Sequence, residues 1–183
     1  MPPRKTPSPS AGDQAEQSAL VGYQTAITLW TYEGSQNWAR FNVMLVANSI
    51  VMAVLGLTLT SGQSLLVATL ILSVVGMVVC AAWFLMTKRG FDTQKYYTRA
   101  AREIEETYLA GTITTVSRGA AYIDGEPVSF TLGGKTEPLQ MSPVSGILNA
   151  EMTAQVVIGV FAALYVVFML LTVFQMARGM FYF

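Results

Sequence analysis

The stretch that decides the fold is FNVMLVANSIVMAVLGLTLT, residues 41–60, which contains no charged residue. A helix of this length rises about 30 Å, the thickness of the hydrocarbon layer of a bilayer. Two further uncharged runs follow: LLVATLILSVVGMVVCAAWFLM at residues 65–86 and AQVVIGVFAALYVVFMLLTVFQMA at residues 154–177. The sequence therefore predicts three transmembrane helices with these bounds.

The composition of the whole chain favours a membrane location. Of the 183 residues, 52% are hydrophobic and 12% are charged, about half of the usual charged share of roughly 25%. Three apolar runs in so short a chain leave too little polar sequence to cover them as core helices in water. The first run also begins too far from the N-terminus for a cleaved signal peptide.

The charges that flank the runs predict an orientation. Residues 61–64, SGQS, form a short uncharged hairpin tip, whereas basic residues flank the other ends of the first two spans. The positive-inside rule then places the N-terminus and residues 88–153 in the cytoplasm and the C-terminus outside, in the cell (inner) membrane. Tryptophan and basic side chains at that boundary are the predicted interface anchors: Trp38, Arg40, Trp83, Lys88 and Arg89.

The sequence between the spans predicts smaller elements. Prolines and serines near the N-terminus are typical of disorder, apolar stripes at helical spacing indicate amphipathic helices, and β-branched runs with glycine turns indicate strands. The predicted segments are a disordered tail at 1–13, an amphipathic cytoplasmic helix at 14–40, a charged cytoplasmic helix at 90–110, a β-prone cytoplasmic insert at 111–150 and a short external tail at 178–183.

Two turn signals and one helix cap lie in or near the insert. Asp124-Gly125 is the best predicted hairpin turn, and Gly133-Gly134 is a second. Asn149 is the predicted cap of the third span, with Glu151 beside the helix N-terminus. The predicted fold class is therefore an all-α membrane protein, with three transmembrane helices, two amphipathic cytoplasmic helices and a small β-hairpin-prone insert.

The residue types in the chain argue against catalysis. Eleven basic residues balance eleven acidic ones, so no net field attracts nucleic acid. The chain has no histidine and one cysteine, which excludes imidazole metal sites and Ser-His or Cys-His nucleophiles. Glu103, Glu105 and Glu106 lie in a mixed-charge segment that we expect to be solvated, where no apolar setting raises a pKa. We expect no enzyme activity, no cofactor and no metal.

Small residues recur at helical spacing in all three spans. Such residues let two backbones approach closely, and hydroxyls can bond across the contact. The simplest hypothesis is that the stripes of the first two spans face each other inside the hairpin. The alternative is that one stripe, helped by Asn48, lines a polar path in an oligomer. The candidate helix-packing or pore-lining residues are Asn48, Ser49, Ala53, Gly56, Thr60, Thr69, Ser73, Gly76, Cys80, Gly159 and Ala163.

The order of the N-terminal parts resembles a known group. A polar helix ends in NWARFNVMLVANS, a hairpin follows, and WFLMTKRG leads into the charged helix YYTRAAREIEE. Over residues 18–110 this arrangement is similar to SLATT-type bacterial two-span membrane proteins. The resemblance implies a pore-forming membrane effector with Asn48 and its small neighbours as pore candidates. The insert and the third span depart from that pattern.

Three functions fit these observations. The first is a non-catalytic membrane subunit that packs into and stabilises a larger assembly of other subunits or of copies of itself. The second is a homo-oligomeric pore or membrane-disrupting effector lined by the small-residue and Asn48 face. The third is an accessory factor that binds lipid or pigment between its helices, and without histidine its pigment would need a backbone, water or amide ligand.

Overall fold

The computed structural model describes residues 11–60, 65–109, 113–142, 145 and 149–180. Its elements are helix α1 at Ala11–Thr60, α2 at Leu66–Tyr108, α3 at Thr115–Ile123, strands β1 at Val128–Leu132 and β2 at Lys135–Leu139, and helix α4 at Ala150–Met180. Helices α1, α2 and α4 are each long and apolar enough to cross a membrane. The protein is therefore an all-α membrane protein with a small β-hairpin.

Helices α1 and α2 continue well beyond their apolar runs. They contain 50 and 43 residues, more than twice the number that crosses the hydrocarbon layer. The amphipathic helix predicted at 14–40 and the charged helix predicted at 90–110 are thus extensions of the first two spans and not separate helices. No proline interrupts either segment, so the backbone hydrogen bonds run on unbroken.

Several sequence predictions fall partly or wholly outside the described residues. Residues 1–10 of the predicted disordered tail, the hairpin tip at 61–64 and the last three residues of the external tail, 181–183, are among these. Residues 11–13 of the predicted tail already belong to α1. At the other end of the chain, α4 includes residues 178–180.

The insert differs from its prediction in two ways. The β-branched and aromatic residues of TITTV at 112–116 and AAYI at 120–123 favour strands, yet Thr115–Ile123 is the helix α3. Asp124-Gly125 was expected to be the hairpin turn, but Asp124 instead ends α3, and Gly125 has a positive φ of 85°. The strands are joined at Gly133-Gly134, where φ values of 58° and 80° suit a type I′ turn. The second turn signal is therefore the one that makes the hairpin.

Each outer edge of the hairpin is partly protected from pairing with a further strand. Leu132 pairs with Lys135 across the turn, and hydrogen-bonded and non-hydrogen-bonded pairs alternate from there along the strands. Ser129 and Pro138 form a non-hydrogen-bonded pair, so their peptide groups point outward. Pro138 has no N–H to offer a further strand. On the other edge, the Arg118 guanidinium donates to the Ser129 carbonyl oxygen and lies 4.5 Å from the centroid of the Phe130 ring. Helix α3 thus covers part of the first strand.

The chain divides into two compact units. The polar unit comprises Met1–Glu33 and Thr93–Ile147, and the apolar unit comprises Gly34–Asp92 and Leu148–Phe183. The buried core of the apolar unit draws on all three long helices, with Phe41 and Leu55 from α1, Cys80 and Trp83 from α2, and Ala154, Ile158 and Tyr165 from α4. The predicted cap of the third span is confirmed, since Asn149 Oδ1 accepts the Met152 backbone N–H at 2.7 Å.

Candidate helix-packing site

Asn48 is the polar centre of the apolar unit. Its side chain is 1% exposed, and its Nδ2 donates to the Met44 carbonyl oxygen at 2.8 Å. Its Oδ1 accepts the Tyr165 hydroxyl at 3.0 Å and the Cys80 thiol at 3.6 Å. One amide thereby joins α1 to both other long helices. A buried amide without these partners would lose a large part of its hydration energy, so the contacts select one arrangement of the three helices.

Gly76 allows α2 and α4 to approach at the same level. A Cβ atom built on Gly76 would overlap the Tyr165 ring, so only glycine fits there. The ring is fully buried, and its hydroxyl reaches Asn48 from this position. A second close approach joins α1 and α2, where a Cβ on Gly90 would overlap the Asn37 side chain. Gly76 thus sets helix spacing in the apolar unit, whereas Gly90 leaves room for the amide end of Asn37.

The small-residue stripe of the second span packs inside the apolar unit. Thr69, Ser73, Gly76 and Cys80 are all buried. Thr69 Oγ1 donates to Thr58 Oγ1 of the first span at 3.0 Å, which is a hydroxyl contact across the hairpin. Ser73 Oγ donates back to the Thr69 carbonyl oxygen at 2.8 Å. Every hydroxyl of this stripe therefore has a partner within the chain.

The stripe of the first span does not face that of the second. Ser49, Ala53 and Gly56 are exposed, and a Cβ atom on Gly56 would meet nothing within 4 Å. The packed face of α1 instead passes through Asn48 and Leu55. The three exposed stripe residues lie about 80–140° around the helix from Asn48. Large side chains and the Asn48 amide fill the packed face of α1. The stripe of the first span therefore lies away from that face, and the prediction that the two stripes face each other is wrong. The side chain of Thr60 lies outside the described residues.

Gly159 and Ala163 belong to a surface groove between α2 and α4. The groove has a volume of about 580 Å³. Both residues are exposed, and a Cβ on Gly159 would meet nothing within 4 Å. Small residues therefore make up much of its lining. The described lining residues are Met77, Cys80, Ala81, Phe84, Leu85, Gln155, Ile158, Gly159, Ala162, Ala163 and Val166. We name this feature the α2–α4 groove.

The predicted interface anchors fall into two groups. Trp38, Arg40, Lys88 and Arg89 are exposed, as anchors at a membrane boundary must be. Trp83 differs, because it is 1% exposed and packs between Phe41 and Phe161, with ring centroids 5.0 and 6.0 Å away. Its indole N–H has no hydrogen-bond partner among the described residues. Trp83 is thus a core residue of the apolar unit.

Glu105 is the centre of the polar unit, although the sequence predicts it to be solvated. The carboxylate is 1% exposed and accepts the backbone N–H groups of Val116 and Ser117, each at 2.8 Å. It also accepts the Ser117 hydroxyl at 2.8 Å and the Tyr23 hydroxyl at 2.9 Å. Thr114, the residue before α3, makes no side-chain cap. Glu105 therefore caps α3 from a different helix and joins α1, α2 and α3.

These bonds determine the ionisation of both side chains. Burial opposes ionisation of Glu105, but the hydrogen bonds from Val116 and Ser117 outweigh it and lower the pKa of the carboxyl group. Burial, followed by the bond to the Glu105 carboxylate, raises the pKa of Tyr23 to about 12. Glu105 is therefore ionised and Tyr23 protonated at neutral pH. In the described part of the chain, no cluster of three or more His, Cys, Asp or Glu residues could hold a metal ion.

A comparison with known proteins places this architecture in a family. The model of the octameric membrane protein family, 8xMP, matches residues 21–174, most of the chain. The chain belongs to this family. Neither the curated proteins nor the solved structures contain a significant match to it.

The match to the 8xMP family extends over most of the described helices and strands. The matched residues include Tyr23, Glu105, the hairpin insert and most of the third span. The SLATT resemblance, in contrast, covers only residues 18–110. As an 8xMP member, the protein is an oligomeric membrane protein.

Proposed function

We propose that this protein is a non-catalytic membrane subunit that assembles with copies of itself and stabilises the resulting oligomer. The observation that carries the proposal is the match to a family described as octameric over residues 21–174. We propose an assembly of eight copies accordingly. The cell inner membrane, with the N-terminus in the cytoplasm, is the proposed location because the basic residues lie on one side of the first two spans.

The contacts of the apolar unit support a role in assembly. Asn48, Thr69, Ser73 and Thr172 are buried and hydrogen-bonded within the chain. The three apolar runs contain no Asp, Glu, Lys or Arg. Proton-driven transporters and pumps normally place an ionisable group at such depth. What the unit presents outward is mainly aliphatic surface with small residues, the kind of surface through which membrane helices associate.

Native mass measurement after extraction in mild detergent tests the proposal. The expected result is one protein species with a mass eight times that of the 19.9-kDa chain. A lone chain at all concentrations would contradict self-assembly. A complex that contains a second kind of polypeptide would instead point to a subunit of a mixed assembly.

A pore is the second candidate function. Asn48 is engaged within the chain, so the favourable observation is the exposed flank of α1, where Asn42 and Ser49 lie with Ala53 and Gly56. These polar and small side chains stand out on an otherwise apolar span, and the SLATT resemblance also favours a pore. Ion flux from liposomes that contain the protein, lost in Ser49→Leu and retained in Val54→Leu on another face, would support this function. Absence of flux from liposomes that contain the intact oligomer would contradict it.

A further inference from the structure

Helix α1 carries an exposed ridge directly opposite its packed face. Val43, Val46 and Ile50 are each more than half exposed, and they follow one another at steps of three and four residues. They lie about 140–160° around the helix from Asn48. We name these three residues the α1 ridge. All three side chains are β-branched and hold one preferred χ1 rotamer in a helix, so packing them costs little side-chain entropy.

The α2–α4 groove lies on a different side of the apolar unit. Its described lining comes from α2 and α4 and includes no residue of α1. Ala81, Gly159, Ala162 and Ala163 contribute to it, and small side chains on both helices let a third helix approach closely. A ridge of side chains that enters a groove is the usual geometry of helix packing.

A closed ring of more than two copies with the same orientation needs two different contact surfaces on each chain. The basic residues give every copy the same orientation, which excludes two-fold axes in the membrane plane. A closed ring about an axis along the membrane normal has head-to-tail interfaces, in which one patch of each chain meets another patch of its neighbour. Such rotation also keeps every residue at its own depth. The two patches must therefore lie at the same level in the bilayer.

The ridge and the groove lie at the same level. The Asn48–Tyr165 and Asn48–Cys80 contacts align the three helices in depth. At about 1.5 Å per residue, the ridge runs from about 8 Å below to about 3 Å above Asn48, where below means toward the Arg40 end. By the same measure, the groove runs from about 15 Å below Asn48, at Gln155, to about 5 Å above it, at Met77. The groove thus covers the whole depth of the ridge.

We propose that the α1 ridge of one copy packs into the α2–α4 groove of the next copy. The occupant of the groove is a second copy of this chain, so the inference rests on the proposed self-assembly and names the surfaces that carry it. The ring is then held by one repeated contact between Val43, Val46 and Ile50 and the small residues of the groove. The Ser49 flank of α1 lies beside this contact.

Cysteine cross-linking tests the contact. Val46 and Ala163 each lie about 3 Å on the Arg40 side of the Asn48–Tyr165 level. A chain with both Val46→Cys and Ala163→Cys, oxidised in native membranes, should give a ladder of covalent species beyond the dimer, because each copy links to two neighbours. All three chains carry Cys80→Ala, because the native free thiol also lines the groove, and each single variant should then give none beyond the dimer. Absence of the ladder in a chain that still forms the oligomer would overturn the inference and leave the proposed function standing.

A matched pair of substitutions provides a second test. Ala81 and Ala82 are adjacent, exposed and equal in size, but only Ala81 is among the described lining of the groove. Ala81→Phe should reduce the octamer at least tenfold in native mass spectra while the helical content stays unchanged, and Ala82→Phe should leave the octamer intact. If Ala81→Phe keeps the octamer but loses co-purified lipid, the groove holds an acyl chain and the inference fails. If the unaltered chain is monomeric, the proposed function itself fails.

Discussion

At the scale of single residues, the apolar unit depends on one amide and one glycine. Asn48 supplies the acceptor for Tyr165 and Cys80, and Gly76 leaves the space in which the Tyr165 ring lies. The two contributions are linked, because the hydroxyl reaches Asn48 only when the ring can lie against the α2 backbone. Substitutions at the two positions should therefore affect the same packing.

Replacement of Asn48 by leucine should destabilise the apolar unit. It leaves the buried Tyr165 hydroxyl without its acceptor, a loss of about 1–2 kcal/mol for a hydrogen bond between membrane helices. The measurement is thermal unfolding in detergent, followed by circular dichroism. Asn42→Leu is the matched control, since Asn42 is exposed. Equal midpoints for the two variants would show that the amide network adds no stability.

A methyl group at Gly76 should also be destabilising. Gly76→Ala forces the Tyr165 ring out of its position, and overpacking of this kind costs about 1–3 kcal/mol. Gly56→Ala is the control, because its Cβ would meet nothing within 4 Å and alanine favours a helix over glycine. The same unfolding assay should show a lower midpoint for Gly76→Ala alone. A similar fall for both variants would contradict the role of the ring contact, since only Gly76 lies against Tyr165.

At the scale of secondary-structure elements, α3 depends on a side chain from another helix. The Glu105 carboxylate occupies the place of an N-cap, and its negative charge favours the positive end of the α3 dipole. Helix α3 has nine residues and no buried side chain, and isolated helices of that length are marginal in water. The cap from α2 is therefore a large part of what keeps this segment helical.

Loss of the Glu105 charge should loosen the first turn of α3. Glu105→Gln should speed hydrogen exchange at the Val116 and Ser117 amides by about tenfold or more, since bonds to charged groups contribute about 1.5–3 kcal/mol. Glu106→Gln is the control, because Glu106 is exposed and its carboxylate accepts from Arg102 on the same helix. Unchanged exchange at both amides would contradict the capping role.

Low pH should have the same effect as that substitution. Because the native state lowers the pKa of Glu105, the stability it contributes is complete above the pKa of the unfolded chain, about 4.3. It is lost as the pH falls from that value through the lowered native pKa. Exchange at Val116 and Ser117, corrected for intrinsic rates, should accelerate in this range in the unaltered protein and not in Glu105→Gln. Equal pH profiles for the two proteins would assign the effect to other groups.

The elements also show where the sequence is informative. Uncharged length predicts the three spans, because three such runs in a short chain leave too little polar sequence to cover them as core helices in water. The packed face of α1 cannot be predicted from the sequence, since a span is apolar all round and the small residues Ser49 and Gly56 favour a different face for the contact. The strand preference of Thr115 and Val116 was overridden by Glu105, which is distant in sequence. The packed face of α1 and the helical conformation of Thr115 and Val116 both depend on tertiary contacts, which leave no local pattern in the sequence.

At the scale of the whole molecule, the charge distribution predicts how the chain crosses the bilayer. A protease-sensitive tag at the N-terminus should be digested only after the membrane is opened, and so should one inserted between Gly133 and Gly134. A tag after Gly179 should be cleaved from outside, because three spans reverse the side of the C-terminus. Digestion of the tags in intact cells is the measurement. Protection of the C-terminal tag would require a different number of crossings or the opposite orientation.

The partly protected outer edges of the hairpin become important when copies of the chain assemble. Tethering identical chains in one small assembly raises their effective concentration to the millimolar range, where bare strand edges join into intermolecular sheets. Pro138 withholds a donor on one side, and Arg118 occupies the Ser129 carbonyl on the other. Both features disfavour the formation of a shared sheet between the hairpins of neighbouring copies.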